Sequence, residues 1–426
     1  MSVTMVIGAQ WGDEAKGKVV DLLSQNADIT ARFNGGDNAG HTVINDYGTF
    51  KLRLTPNGFS NPKTTCIIGP GVVVNLSTLI VELQMIKDAG IDLRDRLWIS
   101  PRCHVVMPYH PIVEAIYELA KGNASTGTTG RGMGPVYADK VSYNGIRLTD
   151  FQDLQILREK LQVQLHVKNA LFKAFNQELL DPQKVLEEKQ EQYSQVQSMI
   201  REPFGLVQQA LRDDAVILLE GAQGSLLDNT WGTYPYCTAS TTLSGGVTAG
   251  LGIAPQHIKR VIGVTKAYTT RVGRGPMPTE LKDAVGQVLQ NEGKEFGTVT
   301  GRPRRCGWFD ADLVSFTARI NGFTEIALTK LDVLDTLPKI KIGIGYHPFG
   351  HKGILAHYWD GDAHWLEGYE PEYIEVDGWM QSTRGMTQFD ELPLQAQAYV
   401  HRIEQLVETR VSIVSVGPER NATIMV

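Results

Sequence analysis

VIGAQWGDEAKGKVVD, residues 6–21, decides how this chain is to be read. The apolar run 3–7 leads into it, and Val19, Leu22 and Leu23 recur behind it at helical spacing. Between strand and helix lies Gly12-x4-Gly17-Lys18. A glycine-rich turn of this kind aims backbone N–H groups and the positive end of a helix dipole at one point, which suits phosphate oxygens. Two residues depart from the ordinary pattern. Val19 stands where Ser or Thr would hold a magnesium ion, and Asp13 brings a carboxylate into the loop. A carboxylate beside phosphates is electrostatically unfavourable unless it binds a metal or moves a proton.

Further short runs, rich in β-branched residues, lie at 66–68, 216–219, 261–264, 326–328, 340–344 and 411–414. Apolar on both faces, they predict an α/β fold with a large, mostly parallel central sheet and flanking helices, similar to phosphate-loop nucleotide hydrolases. Residues 150–201 are polar and glutamine-rich with a helical period, and Leu154, Leu161, Leu165 and Leu171 are the expected inward positions. The expected organisation is one catalytic domain over 1–426, with a helical subdomain inserted at roughly 102–205. The charge run at 187–191 reads as a solvated helix face.

Composition excludes several classes. A net charge of −6 without any Lys/Arg-rich tail argues against a nucleic-acid binder. No run approaches the roughly 18 apolar residues of a membrane span, and the first residues lack the features of an export signal. The four cysteines, Cys66, Cys103, Cys237 and Cys306, form no C-x-x-C pair, disulfide framework or zinc pattern. Cys103, His104 and His110 lack a fourth ligand at suitable spacing and read as a strand edge and a turn. A cytoplasmic protein is expected.

Other loops carry chemistry. FNGGDNAGHT (33–42) packs Asn38, Gly40, His41 and Thr42 into five residues, with glycines that allow close backbone approach. STGTTGRGMGPVYADK (125–140) sets Thr128, Thr129 and Arg131 among four glycines, a second anion loop suited to a monophosphate. EGAQGSLLDNTWGTYPYCTAS (220–240) offers Gln223 and Thr238 for a base edge or a phosphate. In GTVTGRPRRCGW (297–308), Thr300, Arg302 and Arg304 suit a bidentate grip on a carboxylate. LTKLDVLD (328–335) places Lys-x-Asp directly after a strand, as in the guanine-reading motif of GTPases. There Asp332 accepts from the ring N–H and the exocyclic amine while Lys330 lies along the base. Ser415, Val416 and Gly417 close the last strand beside the same base.

Together, WGDEAKGK, NGGDNAGHT, GTTGRGMGP, EGAQGSLLD, GTYPYCTAS, KAYTTRVGRGP, TGRPRRCGW, TKLDVLD and SVGP resemble the adenylosuccinate synthetase family, in the family's order and over nearly the whole chain. The resemblance implies a homodimeric, GTP- and Mg²⁺-dependent ligase that joins L-aspartate to IMP in purine biosynthesis. It implies Asp13 as general base, Lys16 as support for the transferred phosphoryl group and His41 as general acid, with Mg²⁺ on Asp13 and the Gly40 carbonyl. GTP would meet Gly12, Asp13, Glu14, Ala15, Lys16, Gly17, Lys18, Gly40, His41, Thr42, Arg304, Lys330, Leu331, Asp332, Ser415, Val416 and Gly417. IMP would meet Asp13, Glu14, Ala15, Lys16, Asn38, Ala39, Gly40, His41, Thr129, Gln223, Thr238 and Arg302. Aspartate would meet Thr298, Val299, Thr300, Gly301, Arg302, Pro303 and Arg304.

Two positions depart from the family pattern. Ala15 replaces a glycine of the loop, and Tyr143 stands where the family's arginine reaches across the dimer to the IMP phosphate, so that contact is either weakened or supplied by Arg147. Two other readings are a related synthetase acting on a deoxyguanylate, against which Asp13 argues, and a GTPase-like switch. The missing hydroxyl after Lys18 and the second anion loop argue against the switch.

Overall fold

A computed structural model describes residues 2–297, 301, 303–351, 353, 355–357 and 363–426. Nine strands among them form one sheet: β1 (Ser2–Gly8), β2 (Ile29–Arg32), β3 (Thr65–Ile68), β4 (Leu97–Ile99), β5 (Val216–Glu220), β6 (Ile258–Lys266), β7 (Glu325–Thr329), β8 (Val411–Ser415) and β9 (Thr423–Met425). Their order is β9-β8-β7-β6-β1-β5-β2-β3-β4, and every pairing is parallel except that of β9 with β8. A sheet connected this way is covered on both faces. In β1, Val3, Met5 and Ile7 enter one apolar core, while Val6 enters another with Val19 and Val20 of the helix Lys16–Ser24. Burying each of those two valines stabilises the seating of the helix by about 1.5–3 kcal/mol.

The run at 340–344 does not join this sheet. It belongs to Lys339–Pro348, which pairs antiparallel with Tyr369–Asp377 and parallel with Phe309–Asp310 in a smaller sheet. Its start alternates exposed Lys339 and Lys341 with buried Ile340 and Ile342, the pattern of a strand covered on one face. Central strand β2 escaped the sequence reading because Thr30 and Arg32 are buried polar residues in a short stretch.

The helical region folds as Tyr109–Lys121, Met133–Val141, Leu154–Ala174 and Pro182–Val196. Asp153 caps the third of these, accepting from Gln155 and Ile156 N–H, and Asp181 caps the fourth, with Pro182 opening it. Leu161 and Leu165 are buried as expected, but Leu154 is exposed and Leu171 only half-buried; Leu157 and Phe172 take the inward places. Leu154 is the first residue of the helix, and the buried face begins three residues on, at Leu157. The first, third and fourth of these helices share one core with Ile68, Leu97 and Ile99 at the sheet edge, while Met133 and Val136 of the second pack with Val73 and Val106.

Five of the loops singled out from sequence leave the carboxyl ends of β1, β2, β5, β7 and β8, where open α/β sheets bind ligands; the loops at 125–140 and 297–308 instead follow helices. A cavity of about 540 Å³, lined by Thr4, Val216, Lys259 and Glu325 among others, lies at the opposite, amino ends of the strands and touches none of these motifs.

Candidate active site

The loop after β1 is shaped by its own carboxylate. Glu14 is fully buried and accepts from the backbone N–H of Gln10 (3.0 Å) and Gly12 (2.8 Å), while Lys16 Nζ lies 2.5 Å from its other oxygen. A β-carbon at Gly8 or Gly224 would come within 2.6 Å of that carboxylate, so both positions need glycine. The Glu14 carboxylate is therefore taken up within the loop itself. Ala15 has φ +65°, the left-handed conformation that its replacement of glycine made costly.

His41 opens the strand His41–Asn45 and rests against Gly17. Its Nε2 is 2.8 Å from Asn57 Oδ1, and Asn57 donates through N and Nδ2 to the two oxygens of Glu220 (3.0 and 2.9 Å). With the Asn57 amide fixed by Glu220, Oδ1 faces the ring and Nε2 carries the proton. Burial pushes the His41 pKa down, against the opposing pull of Glu220.

Asn38, Gln223 and Thr238, far apart in sequence, meet in one hydrogen-bonded chain. Gln223 Nε2 donates to Asn38 Oδ1 (2.7 Å) and Asn38 Nδ2 donates to Thr238 Oγ1 (3.3 Å). Gln223 is held with φ +59°. Ala39 and Gly40 are half-buried beside this chain, and Thr42 is exposed on the strand that His41 opens. Thr129 is exposed in its loop and takes no part in these hydrogen bonds; Arg131, 3.8 Å from Asp37, ties that loop to the segment before Asn38.

Arg304 links two parts of the site. Its Nε lies 2.7 Å from Asp13 Oδ2, and its Nη1 donates to Glu295 Oε2 at 2.8 Å. Glu295 is fully buried and its other oxygen accepts from Lys266 Nζ (2.8 Å), Lys330 Nζ (2.6 Å) and the Tyr268 hydroxyl (2.5 Å). Burial opposes ionisation of Glu295, but Lys266, Lys330 and Arg304 outweigh it and hold the carboxyl below its ordinary range. Lys266, fully buried, is pushed down to about 8 by desolvation despite Glu295. Gly301 has φ +62°, and Pro303 bridges to Phe296. Thr298, Val299, Thr300 and Arg302, expected around aspartate, lie outside the described residues.

On the other side of the loop, Lys18 is buried and donates to Ser415 Oγ (2.6 Å) and to the carbonyls of Gly417 and Ala422 (2.7 Å each). Burial lowers its pKa to about 8, with Asp332 and Glu419 pulling it upward. It thus ties the phosphate loop to the loop after β8. Leu331 and Val416 are buried, so they offer backbone rather than side chain. Lys330 has φ +58°, and Asp332 beside it pairs with Arg384 at 3.2 Å.

Sequence reasoning missed Glu295, Asn57, Glu220 and Arg384. Glu220 and Lys266 open two of the recognised motifs, a visible signal; Asn57 and Arg384 lie in stretches with none.

Comparison with known proteins bears directly on this arrangement. The adenylosuccinate synthetase family profile matches residues 5–424. Adenylosuccinate synthetases of Caldanaerobacter subterraneus subsp. tengcongensis and Heliobacterium modesticaldum are each 45% identical, over 100% of this chain and 99% of theirs. The fully ligated adenylosuccinate synthetase of Plasmodium falciparum superposes with a TM-score of 0.93 at 36% identity, covering 100% of both chains. A succinoaminodeoxyadenylate synthetase of cyanophage S-2L, solved with dGMP and dATP, shares the fold alone. Its TM-score is 0.63 at 19% identity, over 100% of this chain and 95% of that one. On the breadth of these matches, the chain belongs to the adenylosuccinate synthetase family.

Proposed function

We propose that this chain joins L-aspartate to IMP at the expense of GTP, with its own residues in the following roles. Asp13 takes the proton from N1 of IMP, leaving the 6-oxygen nucleophilic. That oxygen attacks the γ-phosphorus of GTP, GDP leaves, and a 6-phosphoryl-IMP intermediate results. The aspartate amine then adds at carbon 6 and expels phosphate. Lys16, whose Nζ pairs with Glu14, would leave that partner to support the transferred group, and His41 donates a hydrogen bond or proton at the departing GDP. The observation that carries this reading is Arg304 Nε 2.7 Å from Asp13 Oδ2, a guanidinium suited to a substrate carboxylate beside the proposed base.

Asn38, Gln223 and Thr238 form the IMP subsite, with Thr129 and Arg302 expected at its phosphate; Lys330, Asp332 and the segment Ser415–Gly417 read the guanine. Thr298 to Arg304 would enclose aspartate. Asp13 and the Gly40 carbonyl suit Mg²⁺, which takes few protein oxygens and completes its shell with phosphates. Among the described residues no group of three or more acidic, His or Cys side chains competes for a metal. When bound, the ion would neutralise charge on the phosphates. We place the enzyme in the cytoplasm as one domain with an inserted helical layer. The homodimer rests on the family resemblance; Tyr143, at the position of the family's trans arginine, is 97% exposed in the single chain. No described helix is long and apolar enough to cross a membrane.

Adenylosuccinate formation, followed by absorbance with GTP, IMP and aspartate and then with each omitted, tests the assignment. GTP hydrolysis indifferent to IMP and aspartate would refute it. Asp13→Ala is expected to abolish turnover with folding retained, and a near-normal rate would remove Asp13 from the mechanism.

A further inference from the structure

Asp332 and Asp335 sit in the same short turn after β7 and do different work. Asp335 pins the segment 379–383: Trp379 Nε1 and Thr383 Oγ1 donate to Oδ1 (2.8 and 2.9 Å), and the Thr383 backbone N–H donates to Oδ2 (2.8 Å). The next residue along that pinned segment is Arg384. Its Nε donates to Asp332 Oδ2 at 3.2 Å, while the side chain stays 58% exposed. Asp332 itself is nearly buried, at 7%. Between these groups lies a cavity of about 280 Å³, lined by Glu292, Asp332, Thr336, Met380, Ser382 and Arg384, among others.

The chemistry of the two candidate partners of Asp332 is alike. A guanidinium presents N–H donors on either side of one carbon, and the N1–C2–N2 edge of guanine presents the same fork. We infer that Arg384 is an internal stand-in for the guanine edge, pairing with the base-reading carboxylate until nucleotide displaces it. The inference rests on the assignment of Asp332 to guanine. The arrangement is a built one, because Asp335 fixes the backbone that carries the guanidinium, and a long exposed side chain has solvent to swing into. The pairing keeps a nearly buried carboxylate from an unsatisfied charge. Binding of guanine exchanges the single Nε contact for the two-donor edge of the base, so guanine binds against a competitor of fixed strength.

Such competition weakens GTP and GDP by one common factor and leaves the other substrates untouched. In Arg384→Ala, KM for GTP and the inhibition constant of GDP are each expected to fall about two- to fivefold, the range of a largely exposed ion pair. KM for IMP and for aspartate should stay unchanged. Asp332→Asn should raise KM for GTP, and adding Arg384→Ala to it should have no further effect. A KM for GTP that rises in Arg384→Ala, or does not move, overturns the inference while leaving the base reader in place. An unchanged KM in Asp332→Asn removes the base reader and the inference with it. The arginine is on the surface, so loss of fold does not confuse the result.

Discussion

Gly17→Ala should separate stability from activity. Gly17 is the second residue of the helix Lys16–Ser24 and its φ is not positive, so alanine fits the backbone. Alanine favours helix over glycine by about 1 kcal/mol. A β-carbon there, however, would lie 2.6 Å from His41 Cδ2 and 3.1 Å from its Cγ. Carbon atoms settle at about 3.5–4 Å, so the imidazole must retreat by roughly 1 Å. That movement breaks its alignment with Asn57, now 2.8 Å away. Misplacement of this size costs a rate of about 100-fold, so kcat for adenylosuccinate formation should fall by that order while the melting temperature holds or rises. The loss should vanish in a His41→Ala background, where no ring remains to be displaced. A kcat within about twofold of the parent refutes the reasoning, as does an undiminished loss without the histidine.

Ala15→Gly should stabilise the protein by about 1 kcal/mol, since glycine relieves the left-handed strain of about 1–2 kcal/mol and returns part of it as chain entropy; a lower melting temperature would contradict this. Lys18, with its pKa lowered to about 8, must lose its proton as pH rises through that value, so kcat/KM for GTP should decline above about pH 8. The stability sign runs the other way. The unfolded chain holds that proton up to 10.5, so the Lys18 contribution to stability grows from about pH 8 to 10.5. A Lys18→Arg enzyme should lack the decline, and its persistence would assign it to another group. Glu295→Gln strips the shared partner from Lys266, Lys330 and Arg304 and should lower stability by about 3–5 kcal/mol, measured by denaturant unfolding. A change below about 1 kcal/mol would show that the cluster holds without it.

How far the sequence reached depended on what kind of order each part uses. Glycine spacing and β-branched runs revealed the loop 12–18 and most of the parallel strands, because both are local signals. Strand β2 stayed hidden because burial of Thr30 and Arg32 depends on partners elsewhere in the chain. Leu154 was misplaced because periodicity tells which face a residue shares but not where a helix begins to touch its neighbours. In the site, the chain Gln223–Asn38–Thr238 gathered residues already singled out. The hub at Glu295 did not announce itself, since a lone glutamate gains its meaning only from the cations brought around it.

The Glu14 carboxylate inside the phosphate loop has a consequence for binding. Two backbone donors of the turn, at Gln10 and Gly12, are already engaged before nucleotide arrives. The loop therefore reaches its shape during folding, and its conformational entropy is lost then instead of at each catalytic cycle. A preorganised cradle changes little on binding, so the ordering that accompanies GTP, IMP or aspartate must come from other segments, while this turn serves as the rigid reference against which they close.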